Sequence, residues 1–289
     1  MQTWIWRSLR IDLPDDWEML QFSRNPERGR CAFADRYQFR LELSWRKVGS
    51  SPDFPQMIKD YESQLRQESD RSVIRRISHG MWSGVDCDSK AMLSSRLGRY
   101  FEAESCLVEI VLIWPDVRDS ALMCQILSSI DAYSASNEGL QRWKAFGIDL
   151  WAPKSFALQK CTVEPARAVL SFTDSHRLQN QYFERLGMVS HWLKVPVSQW
   201  LREQSPKGIR ISAETAVLSS QHSIETITGI GRLRMVLPCF GKRLHYASVA
   251  WICPKDGRLY RVCSHSFAPI APEVLASRLS CCTEKEKSK

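Results

Sequence analysis

The chain has 289 residues, 44% hydrophobic and 25% charged, and a formal net charge of +8. This balance excludes a disordered chain and fits one large domain or two ordinary ones, at ~100–200 residues per domain. No run approaches the ~18 consecutive apolar residues of a membrane helix. Arg7, Arg10, Asp12, Asp15 and Asp16 stand where an export signal would need apolar residues, so the expected compartment is the cytoplasm.

In chain order, "LRIDL" alternates apolar and polar residues and predicts a strand. "WEMLQFS" and "GRCAFAD" read as a strand pair joined through the turn residues of "RNPERG". Phe39, Leu41, Leu43 and Trp45 share one face of a further half-buried strand. A helix follows, with Pro55 in its first turn and Met57, Tyr61 and Leu65 at four-residue spacing. "GRYFEAESCLVEIVLIW" gives strand, turn and strand. "DSALMCQILSSIDAY" predicts a second helix, capped by Asp119 or Ser120, with Leu122, Ile126, Leu127 and Ile130 on one stripe.

"SASNEG" then marks a polar boundary. Beyond it, "KSFALQKCTV" and "ARAVLSF" predict strands, "VSQWLREQ" a helix, and "GRLRMVLPCFG" a strand with Arg232 and Arg234 on one face. "RLHYASVAWICPKDGRLYRVCSHSF" reads as a hairpin turning at Asp256-Gly257, and "PEVLASRLSCC" as a closing helix begun by Pro272.

The two halves share a pattern. Trp6, Ile11, Asp12 and Leu13 match Trp143, Ile148, Asp149 and Leu150. Allowing two extra residues in the second half, an offset of 139 then carries Trp17 to Phe156, Pro26 to Pro165, Phe33 to Phe172 and Asp35 to Asp174. An internal repeat of this kind predicts two copies of one structural unit. The expected division is residues 1–135, a linker at 136–142, a second unit at 143–282 and a frayed tail at 283–289. The expected class is α+β, with two similar domains, each a mostly antiparallel sheet packed with helices.

Chemistry-bearing motifs are sparse. The densest is "CPKDGRLYRVCSH", but a tight turn at Asp256-Gly257 puts Cys253 and Cys263 on opposite faces of the hairpin. Tetrahedral metal ligation needs convergent ligands, so no metal is expected there, and Cys253 is assigned to the core. The ten Cys are irregularly spaced, without a C-x-x-C pair, and read as reduced thiols buried among apolar residues. The remaining His are scattered singly. "GIGRL" lacks the third Gly and the helix of a phosphate loop. Asp15-Asp16 and Asp86/Asp88 fall in expected turns, where such residues bond to local backbone. Catalytic residues and cofactors are therefore expected to be absent. Basic residues outnumber acidic ones 14 to 7 in residues 201–289. The candidate binding residues are accordingly Arg232, Arg234, Lys242 and Arg243.

The opening "RIDLPDDWEMLQF", through Ile11, Leu13, Pro14 and Trp17, resembles the start of PsbP-like domains, a superfamily with DcrB-like proteins and Eag-type secretion chaperones. The resemblance implies a tandem pair covering nearly the whole chain, with Trp151 where Pro14 would lie in the second copy. It also implies a non-catalytic binding module, with no family catalytic residues to carry over. The expected function is protein binding, as an adaptor or specialised chaperone, with another protein as partner. The rivals are an enzyme with a dispersed site in an inter-domain cleft and a nucleic-acid or anionic-surface binder using the basic final third.

Overall fold

The alternating stretch from Phe39 is a strand that buries Leu41, Leu43 and Trp45 and exposes Arg46 and Lys47. It belongs to a computed structural model that describes residues 1–68, 72–89, 92–132, 139–176, 178–219, 222–232 and 243–282. The chain divides into two units, residues 1–133 and 134–289. The first strand of the second unit starts at Leu140, inside the stretch expected to be a linker.

The first unit runs β1 (Gln2–Trp6), β2 (Leu9–Leu13), β3 (Glu18–Phe22), β4 (Arg28–Ala34), β5 (Phe39–Lys47), α1 (Phe54–Glu68), β6 (Val73–His79), β7 (Trp82–Asp88), β8 (Leu93–Phe101), β9 (Cys106–Trp114), α2 (Ser120–Ser129) and β10 (Asp131–Ala132). Its large antiparallel sheet has the order β3-β4-β5-β9-β8-β7-β6. β1 and β10 flank β2, both antiparallel. Met57 and Tyr61 of α1 pack on Val85 and Leu107, covering one face of the sheet. On the other face Trp4 meets Phe33 edge-on, with ring centroids 5.5 Å apart. Of the two expected caps, Asp119 is the one that caps α2, accepting a hydrogen bond from the Leu122 amide at 2.9 Å.

The second unit runs β11 (Leu140–Ala145), β12 (Ile148–Pro153), β13 (Ala157–Glu164), β14 (Arg167–Thr173), β15 (Asn180–Leu186), α3 (Val189–Trp192), α4 (Val197–Glu203), β16 (Ile209–Ser219), β17 (His222–Arg232), β18 (Arg243–Ile252), β19 (Leu259–Ser266), α5 (Pro272–Ala276) and β20 (Leu279–Ser280). Its large sheet has the order β13-β14-β15-β19-β18-β17-β16, and β12 lies between β11 and β20. Val189, Trp200 and Leu201 pack on Ile227, Tyr246 and Cys263. Trp143 meets Phe172 edge-on at 5.2 Å.

Strand registers align the two units differently from the opening motif. Trp4 pairs with Ile11, and Trp143 with Leu150; Trp6 closes its hairpin on Leu9, and Ala145 on Ile148. At an offset of 139 the registers of these two hairpins coincide, without the two-residue allowance. That offset sets Pro153 at the place of Pro14, not Trp151. The Trp17 amide donates to the Pro14 carbonyl at 3.1 Å, and the Phe156 amide to the Pro153 carbonyl at 2.9 Å. Asp35 accepts the amides of Tyr37 and Gln38, and Asp174 those of Leu178 and Gln179. Both carboxylates fold the turn between the second and third strands of their sheet.

The expected α+β class is corrected: the chain is mostly antiparallel β, in strands that far outweigh its helices. α1 has 15 residues and α2 has 10, while α3, α4 and α5 have 4, 7 and 5. Two hairpins, β6–β7 and β16–β17, add strands that the sequence pattern did not announce. The expected closing helix stops at Ala276, and the chain turns into β20. Among the described residues, no helix is long and apolar enough to cross a membrane.

Asp86 and Asp88 do not lie in a turn; they are strand residues of β7 held by Arg118. The Arg118 guanidinium reaches Asp86 at 3.2 Å, contacts Asp88, and donates to the carbonyls of Cys87 and Ser94. The hydrogen bond that Asp88 accepts from Arg118 holds its carboxyl below the ordinary carboxylate range. A carboxyl depressed only in the folded state stabilises fully above its unfolded pKa, and the contribution is lost as pH falls through the folded pKa. Urea midpoints measured from neutral pH down to about pH 2 are therefore expected to fall less steeply for Arg118→Gln than for the parent chain.

Candidate functional site

Of the four arginines and lysines expected to bind, Arg232 and Arg243 stand opposite one another in the β17–β18 ladder, and Arg243 is exposed. The Arg232 side chain, Arg234 and Lys242 lie outside the described residues. The basic cluster that the structure does show is in the first unit, where sequence reasoning placed nothing.

That cluster arises from strand alternation. Arg28 pairs with Arg46, Arg30 with Ser44, and Ser44 with Glu109, so these side chains share the α1 face of the sheet. α1 covers this face over β7 and β9, through Val85 and Leu107. Over β4 and β5 a cleft of about 430 Å³ remains, lined by Ser23, Arg28, Arg30, Ser44, Arg46 and Glu109. Arg30 reaches Glu42 at 3.6 Å and Arg46 reaches Glu109 at 3.8 Å. Glu109 also pairs with Arg96 at 3.5 Å and accepts the Tyr61 hydroxyl. Burial, then that carboxylate, pushes the Tyr61 hydroxyl up from its ordinary pKa. Arg28 has no carboxylate partner among the described residues. Cation chemistry therefore exceeds anion chemistry along the cleft.

The matching strands of the second unit carry a closed version. Glu184 on β15 pairs with Arg261 on β19, and their side chains are only 4% and 8% exposed. Arg261 donates to the Gln204 carbonyl at 3.1 Å and lies over the rings of Tyr182 and Trp200, each 5.6 Å away. Arg167 reaches Glu184 at 2.9 Å from the solvent side. Burial pushes the Tyr182 hydroxyl up to about 12. With Trp200 of α4 over the pair, this charge serves the core.

A third constellation joins four residues from distant positions. His222 opens β17, Cys253 follows β18, and Cys281 and Cys282 follow β20. Their ligand atoms all lie within 4.8 Å of one another. The β17–β18 register, carried past Glu225↔Ala250, brings His222 beside Cys253. The Sγ atoms of Cys253 and Cys282 are 3.2 Å apart, and those of Cys281 and Cys282 3.7 Å. His222 Nε2 stands 3.2 Å from Cys281 Sγ and 3.5 Å from Cys282 Sγ. The Trp251 indole donates to Cys281 Sγ at 3.2 Å. Burial pushes the Cys281 thiol up, and that indole N–H acts in the opposite sense.

The hairpin beneath this cluster turns two residues wider than expected. Trp251 pairs with Tyr260 and Ile252 with Leu259, and the Cys253 amide donates to the Arg258 carbonyl at 2.9 Å. Cys253 is fully buried, and Cys263 lies on the other face within the apolar core around Trp200. The thiols that join Cys253 come instead from the vicinal pair Cys281-Cys282, whose adjacency was the available sequence signal.

No family model and no curated protein sequence matches the chain. Among solved structures it is similar to the apo structure of immunity protein TplEi of T6SS from Pseudomonas aeruginosa. The TM-score is 0.35 at 11% identity, over 96% of this chain and 95% of that one. A structure of TplEi complexed with "L" peptide gives 0.32 at 10%, over 92% and 98%. Likeness of this size leaves function to be argued from the chain itself.

Proposed function

We propose that the chain is a non-catalytic protein-binding module that takes an acidic segment of a partner protein in the cleft of residues 1–133. The observation that carries this reading is the row of Arg28, Arg30 and Arg46 on one sheet face, with fewer carboxylates than guanidiniums along it. A planar guanidinium grips a carboxylate through two parallel hydrogen bonds, which suits Asp and Glu side chains on an extended segment. An adaptor or specialised chaperone of the cytoplasm is the finer form of the proposal. So is descent of the two units from one duplicated PsbP-like or DcrB-like domain. The shared strand order and the recurring turns at Pro14 and Pro153 support that descent.

The test is titration of the full chain with a fluorescent Asp/Glu-rich peptide at several salt concentrations. Affinity is expected to fall steeply with salt, and at least about tenfold in Arg28→Glu and Arg46→Glu, as for one lost charge-assisted pair. Arg243→Glu is expected to bind like the parent. Loss of binding in Arg243→Glu alone would move the site to the basic final third. Absence of peptide binding, together with failure to recover a stoichiometric partner from the host, would end the proposal.

A further inference from the structure

We propose that His222, Cys253, Cys281 and Cys282 form a structural zinc site in the second unit. The proposal is independent of the binding reading above. Zinc takes four ligands tetrahedrally, at about 2.3 Å for sulfur and about 2.0–2.1 Å for imidazole nitrogen. Such a tetrahedron has edges of about 3.8 Å between sulfurs and about 3.6 Å between sulfur and nitrogen. Four of the six edges stand at 3.2 and 3.7 Å between sulfurs and 3.2 and 3.5 Å between sulfur and nitrogen. All four ligand atoms lie within 4.8 Å of one another. No disulfide claims these thiols: Cys253, Cys281 and Cys282 are free.

The donor set selects the metal class. Three thiolates and an imidazole suit zinc and exclude hard cations such as magnesium and calcium, which take oxygen. Four protein ligands close the shell and leave no position for water or substrate, so the site is structural and not catalytic. Trp251 donates its indole N–H to Cys281, as outer-shell donors do for ligating groups. The same indole stacks on Tyr260 at 6.0 Å and meets the His222 ring edge-on at 6.3 Å, which fixes both donor and ligand.

Mechanically, the ion would fasten the segment after β20 to the mouth of the β17–β18 pair. Loading replaces the thiol protons, which pass to solvent, so uptake is expected to strengthen as pH rises.

The experiment uses the full chain purified under reducing conditions, with zinc and cobalt(II) as probes. The expected result is one metal per chain, and for cobalt the visible bands of a tetrahedral ion with a near-ultraviolet thiolate charge-transfer band. Removal of one ligand, in His222→Ala or Cys253→Ser, is expected to weaken binding by about 100-fold or more, and Trp251→Phe by about tenfold. Cys263→Ser, on the opposite face, is expected to bind as the parent does. Because a ligand variant could fail to fold, the parent is also melted with and without a chelator, and chelation is expected to lower its thermal midpoint. Three outcomes would overturn the site: no bound metal with every thiol free, a Cys253–Cys282 disulfide in the non-reduced protein, or an unchanged cobalt spectrum in His222→Ala.

Discussion

Replacing Glu184 by alanine is expected to destabilise the second unit by about 3–5 kcal/mol, the cost of stranding one member of a buried ion pair. Arg261 would keep the Gln204 carbonyl and the faces of Tyr182 and Trp200, but it would lose its carboxylate at 8% exposure. Arg167, whose side chain is 44% exposed, would return to water at little cost. The paired change Glu184→Ala with Arg261→Met removes both charges and is expected to recover much of the loss. Denaturant unfolding of the full chain, followed in the transition of residues 134–289, reads both. A single variant within about 1 kcal/mol of the parent would show that solvent or a neighbour compensates Arg261.

Gly84→Ala is expected to cost about 3 kcal/mol, at the upper end of overpacking penalties. A Cβ at this β7 position would stand 1.9 Å from the Arg96 carbonyl oxygen and 2.7 Å from the Leu97 Cα, both backbone atoms of the adjacent strand. Only a shift of β7 against β8 relieves that clash. Gly98→Ala is the control, since its Cβ would meet the Met57 Cε at 2.7 Å, the flexible end of a side chain on α1. The control is expected to cost about 1 kcal/mol or less. Thermal melts of the two variants compare a ladder that cannot move with a methionine that can, and equal midpoints would contradict this account.

Legibility in the sequence followed local pattern. The strand at Leu41, Leu43 and Trp45, the helix through Met57 and Tyr61, and the cap at Asp119 were readable because each advertises itself over a few residues. β6 was not, because Arg75-Arg76 interrupts alternation on an edge strand whose residues are largely exposed. β16 is another edge strand, rich in Ser212, Glu214 and Thr215, and its partner β17 carries Gly229 and Gly231. Those unread strands are why an α+β expectation met a β-rich chain. The arginine cleft was invisible because Arg28 and Arg46 become neighbours only through register. The cysteine–histidine cluster was invisible because its spacings match no local zinc pattern, and because Cys281-Cys282 was absorbed into an expected helix.

The small ribbons impose an order on biosynthesis. β2 meets β10 through Arg10 and Asp131, and β12 meets β20 through Leu150 and Leu279, so each unit's earliest hairpin borders its latest strand. Closing so long a loop delays the final pairing until nearly all of that unit has left the ribosome. Until then β2 and β12 each present a naked polar flank, which is where a nascent chain of this kind is most open to capture by a wrong neighbour or to protection by a chaperone.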